Sequence, residues 1–162
     1  MNLNPKEAAQ QLLESTWKGR GFPVDPILIA GDLGIDVIET DLPDNVSGAL
    51  IKDEGKDPVI VLSKTDSKNR QRFTCAHELG HYAYRITSNE NHYEYVDLRS
   101  DSSANGTNKE EIFANQFAAS LLMPKEAIEE LVNKKLPDFL LAQRFGVSDD
   151  AVRFRLKNLN LK

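Results

Sequence analysis

The sequence predicts an α+β fold that is mainly helical, with a small three-stranded, largely antiparallel sheet and a C-terminal tail resembling a helix-turn-helix. Apolar runs of strand length fall between residues 35 and 62, whereas apolar residues before and after them recur at helical spacing. A length of 162 residues fits one domain, or one domain with a small appendage that packs on it. We therefore expect a main domain over residues 1–133 and a helical tail over residues 134–162.

The first half of the chain reads as two helices followed by the sheet. Asn4 is a good helix cap and Pro5 fits the first turn, so a helix begins there and ends in the glycine-rich turn at 19–21. Pro26 begins a second, shorter helix. A polar segment with a central glycine separates the last two strands, as in a hairpin. The strands are predicted at 35–40, 47–52 and 58–62.

The second half of the chain is predicted to be helical around one long loop. Residues 88–107 are polar and rich in asparagine and serine, and loops of this length are often functional. Pro124 ends one helix and begins the next. The helices are predicted at 69–84, 108–123 and 125–133, with two short ones within 137–159.

Composition and charge narrow the class of protein. The net charge of −5 argues against a protein that mainly coats nucleic acid. A single cysteine, Cys75, cannot form an internal disulfide. The N-terminal residues lack the pattern of a signal peptide, and the apolar runs are too short to cross a bilayer. We expect a cytoplasmic protein with no membrane partner.

The segment 77–81 has the pattern H-E-x-x-H and lies within a predicted helix. Residues four apart share one helical face, so His77 and His81 can bind one tetrahedral zinc ion. Glu78 then lies where a general base can take a proton from water as it attacks a carbonyl. The alternative is a chance spacing of two structural histidines.

A catalytic zinc site of this type needs a third protein ligand, for which Glu111 is the best candidate. Asn115 lies one turn later on the same face and is predicted to brace a liganding histidine. Glu110 is the adjacent rival, and an acid favoured by the helix dipole is the other interpretation. His92 is a less favoured third ligand, and Cys75 is expected to be a small buried hydrophobe rather than a ligand.

Oxyanion stabilisation or substrate contact requires a further polar group near the predicted zinc. His92, Tyr93 and Tyr95 are the candidates, since they lie in the polar segment between the two predicted metal-binding helices. The sequence leaves the choice among them open.

Two segments resemble the ImmA/IrrE metallopeptidases. Residues 70–81, RQRFTCAHELGH, resemble the motif helix of that family, and Glu111 precedes A-N-x-F-A-A-x-L-L-M-P at 114–124. The resemblance implies a zincin-like, gluzincin-type metalloendopeptidase domain with zinc on His77, His81 and Glu111. We expect Zn²⁺ as the cofactor, with Mn²⁺ as an alternative in vitro. One departure is Cys75, where an aliphatic residue is common.

The resemblance also implies a substrate. Characterised members of the family cleave helix-turn-helix repressors, which releases genes of mobile elements, prophages or stress responses. We therefore expect such a repressor as the partner. The alternative is a DNA-binding or toxin–antitoxin regulator whose zinc site is not proteolytic.

The tail carries the DNA-binding alternative. Gly146 marks a turn, Ser148 can cap the helix that follows, and that helix contains basic residues. However, the acidic balance of the chain and the pair Asp149-Asp150 oppose the approach of phosphates. Packing within the protein, or contact with the substrate, is therefore favoured over DNA binding. The basic residues are Arg153, Arg155 and Lys157.

Overall fold

The computed structural model describes residues 4–86, 90–98 and 108–162. Over these ranges the fold is α+β, as predicted, with helices packed against a small sheet. None of the described helices combines the length and the apolar character needed to cross a membrane. The helices are α1 (Pro5–Leu12, continued by a π-helical turn Leu13–Trp17), α2 (Pro26–Asp32), α3 (Lys68–Arg85), α4 (Lys109–Leu122), α5 (Lys125–Asn133), α6 (Asp138–Phe145) and α7 (Asp149–Asn158).

The sheet has four strands among the described residues: β1 (Asp36–Thr40), β2 (Val46–Lys52), β3 (Val59–Ser63) and β4 (Tyr93–Leu98). Their order in the sheet is β1-β3-β2-β4. β2 pairs antiparallel with both β3 and β4, whereas β1 pairs parallel with β3. The parallel pair arises because β3 returns from the β2–β3 hairpin into the position beside β1.

Two sequence predictions about the sheet and the loop are therefore wrong. The sheet has a fourth strand and one parallel pair, where three largely antiparallel strands were predicted. The additional strand, β4, occupies residues 93–98 of the segment predicted as a loop, because alternate residues there face the helices and the backbone pairs with β2. The other parts of that predicted loop, 88–89 and 99–107, lie outside the described residues.

The two long helices approach each other closely at a glycine. A Cβ atom added to Gly80 on α3 would lie 2.7 Å from the Cα and 3.2 Å from the Cβ of Ala114 on α4. Real Cβ contacts are not this short, so only glycine allows this separation of the helices. The close packing brings the first turn of α4 against the middle of α3.

The C-terminal helices share the hydrophobic core of the rest of the chain. Phe145 and Leu156 are buried in the same cluster as residues of α3 and α4. Arg155 is buried and its Nε donates to the carbonyl oxygen of Met123, at the end of α4, at 3.0 Å. Arg72 on α3 donates to the carbonyl oxygen of Gly146 at 2.7 Å. The tail is thus packed on the helices that carry the motif, while a domain boundary after residue 133 stays a prediction.

Candidate metal centre

The two histidines of the HExxH motif lie one turn apart on one face of α3. Ser67 caps this helix, since its hydroxyl oxygen accepts a hydrogen bond from the Arg70 amide at 3.1 Å. The rings of His77 and His81 meet edge to face with their centroids 4.9 Å apart. Both side chains are buried, at 2% and 1% exposure. The structure therefore brings them together as their spacing predicts.

Glu111 faces both histidines from the first turn of α4. Asn108 caps that helix, and its side-chain oxygen accepts from the amides of Glu110 at 2.8 Å and Glu111 at 3.4 Å. The carboxylate of Glu111 lies 2.9 Å from Nε2 of His81 and 3.3 Å from Nε2 of His77. One carboxylate thus bridges the two imidazoles.

The charges in this group are strongly coupled. Hydrogen bonds from His77 and His81 hold the pKa of Glu111 far below its usual range. Burial alone would lower the pKa of each histidine, but hydrogen bonds to Glu111, and at His81 also to Glu110, raise both. Donor atoms of His77, His81 and Glu111 lie within 4.8 Å of one another. Two imidazole nitrogens and a carboxylate at this separation are a donor set that can hold a metal ion.

Glu78 lies beside this group and is completely buried. Burial raises the pKa of its carboxyl group to about 8, with His77 opposing the shift and Asp97 adding to it. Neither carboxylate oxygen has a hydrogen-bond partner among the residues that the structure describes. A buried carboxylate without partners is costly for folding, and such groups are concentrated at functional sites.

The fourth strand, β4, places a further carboxylate beside His77 and Glu78. Asp97 on β4 is opposite Gly48 on β2, so it lies on the side of the sheet that faces α3. It is buried, its pKa is raised mainly by burial, and it lies within 4.8 Å of donor atoms of His77 and Glu78. Asp97 therefore forms one wall of the site beside Glu78.

The other nitrogen of His81 has its own partner. Nδ1 of His81 lies 2.8 Å from Oε2 of Glu110, while Oε1 of Glu110 lies 3.0 Å from the guanidinium of Arg85. Arg85 also donates through Nε to the hydroxyl of Tyr95. The Tyr95 ring stacks on the His81 ring with centroids 4.2 Å apart and an interplanar angle of 14°. His81 is therefore held on its ring face and at its second nitrogen.

The other predicted site residues fall into two groups. Tyr95 stacks on His81, and the centroid of the Tyr93 ring lies 6.0 Å from that of the Tyr95 ring. His92 is elsewhere: its side chain is 74% exposed, with Nδ1 3.6 Å from Asp53 at the end of β2. Cys75 is fully buried, as expected for a small hydrophobe, and burial raises the pKa of its thiol. The bracing role of Asn115 stays a prediction.

Two residues of the site, Arg85 and Asp97, were not identified from the sequence, and neither was the role of Glu110. Arg85 follows His77 and His81 at positions i+8 and i+4, so helical spacing indicated its place on the same face. Asp97 is the third member of the alternation Tyr93, Tyr95, Asp97, which is typical of a strand. Glu110 appeared only as a rival of Glu111, although adjacent helix positions point in different directions and both can be used.

Comparison with known proteins identifies the family. Residues 30–157 match the family described as Peptidase_M78, IrrE N-terminal-like domain, which covers most of the chain. The chain belongs to this family. The family and the donor set of His77, His81 and Glu111 together indicate a peptidase-type domain with a metal site. The resemblance seen in the sequence is therefore confirmed.

One solved structure with a similar fold is a Mycobacterium tuberculosis transcriptional regulator. The TM-score is 0.66 at 18% sequence identity, and the match covers 94% of this chain and 46% of the regulator. At this identity the similarity shows the fold alone. This chain spans about half the length of that regulator. A comparison with curated proteins found no match.

Proposed function

We propose that this Peptidase_M78 domain is a zinc-dependent endopeptidase. The observation that carries the proposal is the carboxylate of Glu111 directed at Nε2 of both His77 and His81, beside the buried carboxyl group of Glu78. Two nitrogen ligands and one oxygen ligand are the set that catalytic zinc takes in His₂Glu sites, where a fourth position stays open. A zinc ion bound there supplies a Lewis acid near neutral pH.

The residues around this position have separate roles in peptide hydrolysis. Glu78 accepts a proton from the attacking water and returns it to the leaving amine, so the peptide bond breaks without a free hydroxide or amide anion. In the metal-free chain burial raises the pKa of Glu78 to about 8. A zinc ion bound beside it would lower that pKa, so that Glu78 would be ionised and able to accept the proton near neutral pH. Tyr95 stacks on His81, but its hydroxyl already accepts from Arg85, so its ring rather than its hydroxyl is left to contact a substrate.

We propose that the substrate is a helix-turn-helix transcriptional repressor, the kind of protein on which members of the ImmA/IrrE type act. Cleavage of such a repressor would release the genes that it silences. The proposal also places the enzyme in the cytoplasm, where a repressor is found. It rests on the family rather than on a contact in the structure.

The tail favours contact with protein over contact with DNA. Of its three basic residues on α7, Arg155 is buried against Met123 and cannot reach a phosphate. Arg153 is paired with Asp150, one turn earlier on the same helix. Asp149 and Asp150 are exposed at the start of that helix, where a recognition helix would approach the major groove. These charges disfavour a DNA-binding role and leave the exposed face of the tail for a protein.

The test is a cleavage assay against the helix-turn-helix regulator encoded nearest to the gene for this chain, with zinc or manganese present. The wild type is compared with Glu78→Gln, which keeps the size of the side chain but cannot act as a base. We expect a discrete cleavage product with the wild type and a loss of at least about 100-fold with the variant.

Zinc content of both proteins, measured in parallel, separates the parts of this proposal. If both hold zinc and neither cleaves this regulator, the choice of substrate is wrong but the metal site stands. If Glu78→Gln cleaves as fast as the wild type, Glu78 is not the base and the proposed mechanism is wrong.

A further inference from the structure

Glu110 and Glu111 are adjacent in sequence but contact different nitrogens of the same histidine. Glu111 lies 2.9 Å from Nε2 of His81, and Glu110 lies 2.8 Å from Nδ1. The imidazole is therefore held between two carboxylates, one at each nitrogen. Only Glu111 also reaches His77. The two acids thus have different positions relative to the proposed metal, although the sequence presents them as equivalent.

We propose that Glu110 is a positioning residue for the metal site: it accepts the Nδ1 proton of His81 and so directs the lone pair of Nε2 at the metal. A neutral imidazole carries one proton, and a carboxylate at Nδ1 fixes that proton there. The Nε2 atom is then free to act as a ligand. The inference rests on the proposed metal site of His77, His81 and Glu111.

Glu110 is itself held in place from two sides. Its amide is capped by Asn108, and its second carboxylate oxygen lies 3.0 Å from the guanidinium of Arg85. The side chain is only 9% exposed, so solvent screens these contacts weakly. Arg85 in turn donates to Tyr95, whose ring covers His81. Contacts thus run from Tyr95 to Arg85, from Arg85 to Glu110 and from Glu110 to His81, and the Tyr95 ring stacks on the same imidazole.

The arrangement differs from that of a simple structural ion pair. An acid that only stabilised the start of α4 would face solvent or the helix dipole. Glu110 is instead buried and directed at Nδ1 of His81, the nitrogen that does not face the proposed metal. Carboxylates behind liganding histidines raise the basicity of the ring and fix its orientation, and their loss typically weakens metal binding by about 10- to 100-fold. The expected signature is therefore a change in metal affinity.

The experiment measures zinc affinity by competition with a chromophoric chelator for the full chain. We expect Glu110→Ala to bind zinc about 10- to 100-fold more weakly than the wild type. Glu110→Gln should lose less, since its amide oxygen can still accept from Nδ1 but carries no charge. Glu130→Gln is the matched control, because Glu130 is exposed on α5 and pairs only with Lys134 among the contacts described for it.

A second readout tests the hydrogen bond itself. In the zinc-loaded wild type we expect a slowly exchanging, low-field proton resonance from Nδ1–H of His81, which moves upfield and exchanges faster in Glu110→Ala. Thermal unfolding of the metal-free proteins reports whether a variant is folded. If Glu110 only stabilised the fold, Glu110→Gln would change the thermal unfolding. It would leave the His81 resonance where it is in the control, Glu130→Gln.

The outcomes are distinguishable. A wild type and Glu110→Ala with zinc affinities within twofold of each other overturn the positioning role and leave the metal site intact. A wild type that binds no zinc overturns the metal site, and the positioning role with it. Weaker binding by Glu110→Ala together with the shifted His81 resonance supports the proposal.

Discussion

Gly80 and Ala114 mark the closest approach of α3 and α4. A Cβ atom on Gly80 would lie 2.7 Å from the Cα of Ala114 and 3.0 Å from its carbonyl oxygen, both of them backbone atoms. The contact lies one residue before His81 and one turn after Glu110 and Glu111. The separation of these two helices therefore sets the distance between the histidines and the carboxylates that face them.

Substitution of this glycine is predicted to weaken both the fold and metal binding. Gly80→Ala forces α4 away from α3, because neither clashing atom can move by a change of rotamer, at a cost of about 1–3 kcal/mol. Glu111 moves with α4, so zinc affinity should fall as well. Chemical denaturation and zinc titration measure the two effects.

The chain offers a control for the glycine itself. Gly31 on α2 has a negative φ, and no atom of the described residues lies within 4 Å of a Cβ added there. Gly31→Ala should therefore leave metal binding unchanged and stabilise the helix by about 0.5–1 kcal/mol. A Gly80→Ala protein that is as stable as the wild type would show that the helices are not held at this separation.

Arg155 links the tail to the end of α4. Arg155→Met keeps the aliphatic part of the side chain but leaves the buried carbonyl oxygen of Met123 without this donor. An unsatisfied buried acceptor costs about 1–3 kcal/mol, so we expect a loss of that size in the free energy of unfolding. Arg153→Met on the exposed face should change it by no more than about 0.5 kcal/mol. Equal stabilities for the two variants would contradict the packing of the tail described here.

Much of the fold follows from local patterns in the sequence. α5 was predicted with its observed bounds, and α3, α4 and three strands within a few residues, because caps, prolines and apolar spacing are local signals. The parallel pairing of β1 with β3 depends on which strands become neighbours, which no local pattern fixes. β4 was not predicted because its alternation of inward and outward residues is short and lies between polar segments. Its pairing with β2, which forms the strand, is not visible in the sequence.

The site residues also divide into those that local sequence patterns predict and those that depend on tertiary packing. His77, Glu78 and His81 share one short helical motif, so spacing alone predicts that they lie together. The prediction of Glu111 as the third ligand depended on a second helix and on the family resemblance. The roles of Asp97 and Glu110 arise only from the packing of β4 and α4 on α3, over 16 or more residues of sequence, and no spacing rule connects them to the motif.

The buried carboxyl group of Glu78 predicts a pH dependence of the metal-free protein. Its pKa is raised from 4.5 to about 8 in the folded chain, so the folded state binds more protons than the unfolded state between these values. Stability from this group is present below about pH 4.5 and is lost as the pH rises through about 8. Each pH unit in that interval corresponds to about 1.4 kcal/mol, so the loss amounts to a few kcal/mol.

Glu78→Gln removes this dependence. In the presence of a chelator, urea denaturation of the wild type and the variant should give a gap in favour of the variant that widens from pH 5 to pH 8. Groups remote from Glu78 titrate alike in both proteins and cancel in the comparison, whereas His77, whose pKa the Glu78 charge raises, contributes to the gap. A gap that stays constant over this range would show that Glu78 titrates normally in the folded chain.

The most direct test of the account is whether α3 and α4 together hold one metal ion. Zinc content and zinc affinity would be measured for the wild type, Glu111→Gln and Glu78→Gln after removal of bound metal. We predict that the wild type binds a single zinc ion, that Glu111→Gln binds it at least about 10-fold more weakly, and that Glu78→Gln binds it as the wild type does. A Glu111→Gln protein with wild-type affinity would contradict the assignment of Glu111 as the third ligand, and a wild type without zinc would contradict the metal site as a whole.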